Sequence, residues 1–195
     1  MRHRRKGRVL GRSPSHRKAL LKNLASALFL TERNAEDDPN PPKIKGRIVT
    51  TLHKAKEVRP LVEKSITLAC ETLGHIDAAA EHSTSAERNS AAWKEWRKSA
   101  KWKSWAAAMA PAVAGRRRLR QMLGDKLAIR VLLSEVAPRF RDRKGGYTRI
   151  VRLAKPRLGD SGTRAIIEFV GVRDRQVQKS EKPSFSDETA ETAKA

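Results

Sequence analysis

The chain opens with a long basic segment that contains no acid. Eight of the first eighteen residues, MRHRRKGRVLGRSPSHRK, are Lys or Arg, and the first carboxylate in the chain is Glu32. The 195 residues carry a formal net charge of +22, and a compact domain with that charge repels itself unless an anion binds to it. The sequence therefore predicts a polyanionic partner for a chain with room for one ordinary domain with extensions, or two small domains.

The first twelve residues are predicted to form an extended arm. Gly7 and Gly11 interrupt them, and they show neither the helical nor the strand period. A mitochondrial transit peptide is an alternative for this Arg-rich start, although Pro14 and the two glycines disfavour the amphipathic helix that such a peptide needs. As an arm, the segment would contact nucleic-acid phosphates through Arg2, His3, Arg4, Arg5, Lys6, Arg8 and Arg12.

Apolar periodicity and helix-end signals predict an α+β fold in the order α-β-α-α-α-β-β. Ser13 and Pro14 are typical of a helix start, and Gly74 and Gly124 are typical of helix ends. The predicted segments are a helix from Pro14, a loop over 31–46, a strand over 48–51, a helix over 52–73, a helix that ends near Gly124, a helix that stops at Ala137-Pro138, and strands over 147–153 and 164–170. A two-layer arrangement, with a small mixed sheet and helices packed on one face, would bury the apolar faces together.

A tryptophan-rich segment precedes the third predicted helix, in the run AAWKEWRKSAKWKSWAAAMAP. On one helix over 91–110, with ~100° of rotation per residue, the pair Trp93 and Trp96 lies nearly opposite the pair Trp102 and Trp105. We therefore expect that the four rings cannot all enter one core. The segment is then either a hydrophobic insertion that packs on its own protein or a contact with RNA or a neighbouring protein.

No constellation of catalytic or metal-ligating residues stands out. The chain has no GxxxxGK[ST], GxGxxG, GxSxG or HExxH motif, and Glu135 and Asp142 are typical of local counter-charges. His75 and His82 can share a helical face, but a solvent-exposed role suits them better than a metal site. A single cysteine, Cys70, excludes an internal disulfide and fits a reducing cytosol. The residues therefore offer no candidate for catalysis, a cofactor, a metal, a membrane span or a small-molecule substrate.

A second basic cluster follows the predicted helices, in the run PRFRDRKGGYTR. Guanidinium groups bind phosphates through paired hydrogen bonds, and an adjacent tyrosine can stack on a base or a ribose. A solvated basic loop beside a strand is the alternative. The predicted RNA-binding residues here are Arg139, Arg141, Arg143, Lys144, Tyr147, Thr148 and Arg149, and those at the first helix start are Ser15, His16, Arg17 and Lys18.

Several long blocks resemble one known family. MRHRRKGRVLGRSPSHRKALLKNLASAL resembles the amino terminus of the bacterial large-subunit ribosomal protein family number seventeen (L-seventeen). RIVTTLHKAKEVRPLVEKSITLA, PRFRDRKGGYTRIVRL and the strand ending IIEFV resemble its later blocks in the same order. The resembling segments 1–30, 47–73 and 116–171 carry net charges of +9, +2 and +10, which is nearly all of the total of +22.

The resemblance implies a two-layer α+β ribosomal protein that has no enzymatic activity. It implies a site near the peptide exit tunnel, with large-subunit ribosomal RNA and neighbouring large-subunit proteins as partners. We accordingly expect an RNA-binding arm over 1–12 and one ribosomal protein domain over 13–171. Segments 31–46 and 74–115 depart from the family as a loop insertion and a Trp-rich insertion, and 172–195 departs as a tail whose low apolar content predicts disorder.

A second class of function also fits the charge. A chromatin-type protein or an RNA chaperone binds many nucleic acids through basic segments without a fixed site. A ribosomal protein needs one RNA shape, whereas a chaperone binds many shapes with similar affinity at a given salt concentration.

Overall fold

The computed structural model describes residues 7–11, 13–36 and 38–171. Residues 1–6 and 12 of the predicted arm, and the predicted tail over 172–195, lie outside the described residues. The elements are α1 Pro14–Leu30, β1 Arg47–Thr51, α2 Leu52–Ala80, α3 Ala91–Lys98, α4 Ala100–Leu123, α5 Lys126–Val131, a π-helical turn Leu132–Val136, α6 Ala137–Arg139, β2 Thr148–Arg152 and β3 Arg164–Phe169. The predicted α+β class and the loop over 31–46 are confirmed.

Within the residues that the structure describes, three antiparallel strands form one sheet, in the order β1-β3-β2. A hairpin loop after β2 places β3 antiparallel beside it, and β1 pairs with the free edge of β3, so that Val49 and Val151 flank Ile166. The prediction of a mixed sheet was therefore wrong for these strands. The loop over 153–163 returns the chain directly, and a parallel pair would have needed a crossover connection instead.

The core lies between α2 and one face of the sheet. Val58, Val62 and Ile66 of α2 are fully buried, together with Ile167 and Phe169 of the central strand. These α2 residues recur at the helical spacing expected from the apolar periodicity. In α1, Leu28 and Phe29 are fully buried, whereas Ala27 is exposed.

Aromatic rings join the helices to the sheet. The ring centroid of Phe169 lies 6.0 Å from that of Phe29 on α1 and 6.1 Å from that of Phe140, which follows α6. Such centroid separations are within the range of favourable aromatic pairs. The three rings therefore connect the first helix, the last helical turn and the last strand.

Local end signals mark most of the helices. Ser13 caps α1 by accepting from the N–H of His16, and Gly124 ends α4 in the left-handed region with φ +84°. Asp125 then caps α5 by accepting from the N–H of Leu127 at 2.8 Å. The predicted helix start at Ser13 and helix end at Gly124 are confirmed, because each signal acts within a few residues of its own position.

The helical run does not stop at Ala137-Pro138 as predicted. The π-helical turn carries it onward to Arg139, and the Ala137 N–H donates to the carbonyl of Leu132, five residues back. Proline lacks an N–H, and its ring collides with the carbonyl four residues earlier in an α-helix. The wider π turn lies immediately before Ala137 and Pro138, and the helical run ends one residue after the proline, at Arg139.

Gly74 does not end α2 either, because the helix continues to Ala80 along α4. The predicted insertion 74–115 therefore lengthens α2 and contributes the first two thirds of α4. Gly115 allows the two helices to approach closely, since a Cβ there would lie 2.3 Å from Thr72 Oγ1. Packing between the helices overrides the weak helix propensity of Gly74.

We expect Gly74→Ala to stabilise the protein. No atom lies within 4 Å of the Cβ that alanine would add, so the change reduces the backbone entropy lost on folding without a clash. The free energy of unfolding, measured by urea denaturation, should rise by about 0.5–1 kcal/mol. A decrease would show that residue 74 is not helical in solution.

Candidate nucleic-acid interface

A basic groove runs between α2 and β2. Its volume is about 630 Å³, and the cationic side chains that line it are Lys56, Arg59, Arg149 and Arg152. We call it the α2–β2 groove. The sequence analysis identified Arg149 but missed the other three. Lys56 and Arg59 are three residues apart and so share one helical face, and this spacing can be read from the sequence. No nearby sequence feature, however, shows that this face lies beside Arg152.

Glu63 forms one wall of the groove and joins α2 to the start of β2. Its Oε1 accepts from the N–H of Thr148 at 2.9 Å and from the Thr148 hydroxyl at 2.6 Å. Its Oε2 accepts from the N–H of Tyr147 at 3.0 Å. One carboxylate thus satisfies two backbone donors and one side-chain donor, and it holds the cationic walls at a set distance.

Tyr147 and Thr148 occupy the interior and not the binding surface predicted for them. They are 3% and 2% exposed, and the Tyr147 ring packs 5.2 Å from that of Phe140. A buried ring cannot stack on an external base. The bend before β2 turns both side chains toward the protein, because its backbone N–H groups bond to Glu63.

The loop after α6 presents cations that differ in their internal pairing. Arg139 donates from two nitrogens to the two carboxylate oxygens of Glu32, each at 3.1 Å. Arg141 pairs with Asp77 at 2.6 Å, where both side chains are about half exposed. Lys144 is exposed, and the described residues provide no ion pair for it. Glu32 therefore already neutralises Arg139, whereas Lys144 is available to an external anion.

The adjacent Arg143 is exposed and donates from Nε to the carbonyl of Gly145 at 3.1 Å. That bond fixes the turn of the loop while the side chain remains open to solvent. Gly146 at the end of this loop lines the α2–β2 groove, so Lys144, two residues earlier, lies in the part of the loop that adjoins the groove. Arg139 and Arg141 instead pair with Glu32 and Asp77, neither of which lines the groove.

Arg149 lies on the outer face of the sheet. Its Nε donates to Glu168 Oε1 at 2.6 Å, while Arg47 approaches Glu168 Oε2 at 3.2 Å from the other side. The register places the three residues in one row across the strands. The row therefore places two guanidinium groups against one carboxylate.

The described part of the arm lies against the domain. Arg8 Nε is 3.4 Å from Glu57 Oε1 of α2, and the Arg8 side chain is mostly buried. Gly7 and Gly11 both have positive φ, so this part is a turn and not the extended chain that was predicted. Arg2, His3, Arg4, Arg5, Lys6 and Arg12 lie outside the described residues.

The start of α1 also presents polar groups to solvent. Ser15, His16 and Lys18 are exposed and Arg17 is partly exposed. A helix N-terminus carries partial positive charge, and the two cations add to it. The first turn of α1 can therefore bind an anion.

Cys70 is not placed for nucleophilic chemistry. Burial raises the pKa of its thiol, and Sγ lies 3.6 Å from the carbonyl oxygen of Ala137, to which it donates. A thiol with a raised pKa is protonated at neutral pH and is a poor nucleophile. None of the helices in 7–11, 13–36 and 38–171 has the length and apolar character to cross a bilayer.

Comparisons with known proteins agree on one family. Residues 20–170 match the family described as ribosomal protein L17. A protein of Rhodopirellula baltica named large ribosomal subunit protein bL17 is 60% identical over 195 residues, which cover 100% of this chain and 93% of the relative. Proteins with the same name are 36% identical in Lactobacillus helveticus, over 84% of this chain and 98% of the relative, and 36% identical in Campylobacter jejuni, over 87% and 99%.

Proposed function

The chain belongs to the ribosomal protein L17 family, and on that premise we propose that it is a structural constituent of the large ribosomal subunit. Its work is to bind and stabilise folded ribosomal RNA. It carries out no catalysis, and it acts on cytoplasmic ribosomes near the peptide exit tunnel, beside other large-subunit proteins.

The cations of the α2–β2 groove, together with Lys144 in the loop that adjoins it, support this proposal most directly. Lys56, Lys144 and Arg152 line or border the groove, and none pairs with a carboxylate in the part of the chain that the structure describes. Unpaired cations held apart on rigid elements suit phosphate oxygens at regular spacing along an RNA strand. The rigid walls favour one RNA shape over many.

The remaining predicted RNA-binding residues adjoin the groove or stand apart from it. We propose that Arg143 and Arg149 contact the same RNA as the groove. The α1 start and the arm over 1–12 would form a second contact. Arg139 contributes to binding mainly by holding the loop against Glu32.

The test removes the unpaired cations of the groove together. The triple variant Lys56→Gln, Lys144→Gln, Arg152→Gln should lose retention on large subunits by about tenfold after a high-salt wash, because binding weakens with each phosphate that is no longer neutralised. A matched triple variant, Arg120→Gln, Lys126→Gln, Arg130→Gln, removes the same charge from exposed positions outside the groove. It should be retained nearly as well as the unchanged protein.

Two results would contradict the proposal. Equal loss by both triple variants would show that only total charge matters, as for an RNA chaperone. Failure of the unchanged protein to sediment with large subunits would exclude a role as a ribosomal constituent.

A further inference from the structure

Four tryptophans gather in one cluster at the end of the α2–α4 helix pair. The helix predicted over 91–110 breaks at Ser99, whose extended backbone, with φ −79° and ψ 163°, ends α3 and begins α4. The Ser99 N–H and hydroxyl both donate to the carbonyl of Trp96, at 3.0 and 2.6 Å. The expectation of two opposed tryptophan pairs was therefore wrong, because the break folds α3 back against the start of α4.

The rings contact one another and one arginine. Trp96 and Trp105 meet edge to face with centroids 5.6 Å apart. The guanidinium of Arg97 lies 5.1 Å from the ring centroid of Trp93 and 5.8 Å from that of Trp102. We call these five residues the tryptophan cluster. They line a shallow cleft of about 440 Å³, whose opposite wall comes from residues 83–88.

The cluster is separate from the hydrophobic core. None of its rings belongs to the core between α2 and the sheet, and each of the four is only partly buried. The indole N–H of Trp96 donates to the carbonyl of His82 at 3.2 Å, which fixes that ring against the loop before α3. Aromatic surface thus stays accessible on a scaffold that is held in place.

The segment that carries the cluster is basic. Residues 81–103 contain six Lys or Arg, Arg97 included, against the three acids Glu81, Glu87 and Glu95. All of these cations are exposed. Besides Arg97, they are Arg88, Lys94, Lys98, Lys101 and Lys103. A partner that fits must therefore be anionic and must also offer flat surfaces to the indole rings.

We propose that the tryptophan cluster binds unpaired nucleotides of RNA. Bases would stack on the rings of Trp93 and Trp102 by displacing the flat guanidinium of Arg97 that lies over them, while the neighbouring lysines contact the phosphates. Charge favours RNA over an apolar protein surface, and stacking requires bases that are not paired in a duplex. The inference rests on the proposed function and deepens it, since it assigns a further RNA contact to the chain's own insertion.

The tryptophans supply a direct readout. The chain has four tryptophans, and all four lie in the cluster, so intrinsic tryptophan emission reports on this site alone. Titration of the full-length protein with a short oligoadenylate should quench that emission in a saturable way. An RNA duplex of the same length should compete at the α2–β2 groove but quench little.

Two variants separate stacking from folding. Trp93→Leu should weaken oligoadenylate binding about tenfold, the effect of losing one stacked base, whereas Trp93→Phe should retain most of the affinity. The charge variant Lys98→Gln, Lys101→Gln, Lys103→Gln keeps every ring. It should lower the slope of log affinity against log salt by about 0.7 for each phosphate that the variant no longer neutralises.

Three outcomes would overturn the inference. If a dye-labelled oligoadenylate binds without changing tryptophan emission, it binds outside the cluster. If an RNA duplex quenches the emission as much as oligoadenylate does, the cluster does not select unpaired bases. Large subunits that contain the Trp93→Leu variant are a third test. If they lose a neighbouring protein while the chemical reactivity of their RNA is unchanged, the partner of the cluster is a protein. The Trp93→Leu variant should still sediment with large subunits, because the groove does not depend on the cluster. If the unchanged protein itself fails to sediment with large subunits, the proposed function is refuted, whatever the outcome for the cluster.

Discussion

Replacing Glu63 with alanine is expected to lower the free energy of unfolding by about 3 kcal/mol. The carboxylate accepts from the N–H groups of Tyr147 and Thr148 and from the Thr148 hydroxyl. Both residues are almost fully buried, so water cannot replace the missing acceptor without opening the start of β2. Urea denaturation of the full chain measures the change.

The matched control is Glu71→Ala, which removes an exposed glutamate two turns later on the same helix. It should change the free energy of unfolding by no more than about 0.5 kcal/mol. Glu63→Gln should fall between the two, because its amide oxygen can still accept while its NH₂ group opposes an N–H donor. Equal stability of Glu63→Ala and Glu71→Ala would show that the join between α2 and β2 does not depend on this carboxylate.

Replacing Gly115 with alanine is expected to destabilise the protein by about 1–2 kcal/mol, although the same substitution at Gly74 stabilises it. The new Cβ would lie 2.3 Å from Thr72 Oγ1 and 3.4 Å from Thr72 Cβ. Thr72 is buried and its hydroxyl donates to the carbonyl of Leu68 at 2.6 Å, so rotation of the side chain breaks a bond without clearing the space.

A double-mutant cycle isolates the contact. Thr72→Ala removes the atoms that the Gly115→Ala methyl group would meet, so the double variant should be more stable than the sum of the single changes predicts. Thermal or urea unfolding of the four proteins gives the coupling energy. Additive changes would mean that α2 and α4 are not in close contact at this level in solution.

The two stability predictions and the RNA proposals concern connected parts of one molecule. Gly115 sets the spacing of the helix pair whose far end carries the tryptophan cluster, and Glu63 sets the spacing of the α2–β2 groove. Gly115→Ala should therefore weaken RNA binding at the tryptophan cluster more than RNA binding at the groove. Glu63→Ala should weaken RNA binding at the groove more than RNA binding at the cluster.

Local sequence signals predicted the elements well where their physical cause is local. Ser13 and Asp125 cap helices by accepting N–H groups two or three residues ahead, and Gly124 adopts the positive φ that few other residues tolerate. The same reasoning failed at Gly74 and Pro138, where packing along α4 and a π turn outweighed the local preference. A helix-breaking residue adds only a local free-energy cost to the helix, and the stabilisation from long-range contacts can exceed that cost.

The sequence predicted the positive charge of the candidate site but not which residues form it. Composition predicts a polyanionic partner, because excess positive charge needs no structure to be counted. Burial then removed Tyr147 and Thr148 from the surface, and the fold added Lys56 and Arg152. Alternation along a strand could not show which way Tyr147 faces, since both directions keep the period.

The sequence by itself determined the charge, the helix and strand order, and the family to which the chain belongs. Only the tertiary structure decided which cations remain available and how the tryptophans meet. Arg139 lies 107 positions from the Glu32 that neutralises it, and one extended residue, Ser99, brings four rings together. Capping and periodicity act over a few residues, whereas ion pairing and burial depend on groups that meet only after the chain has packed.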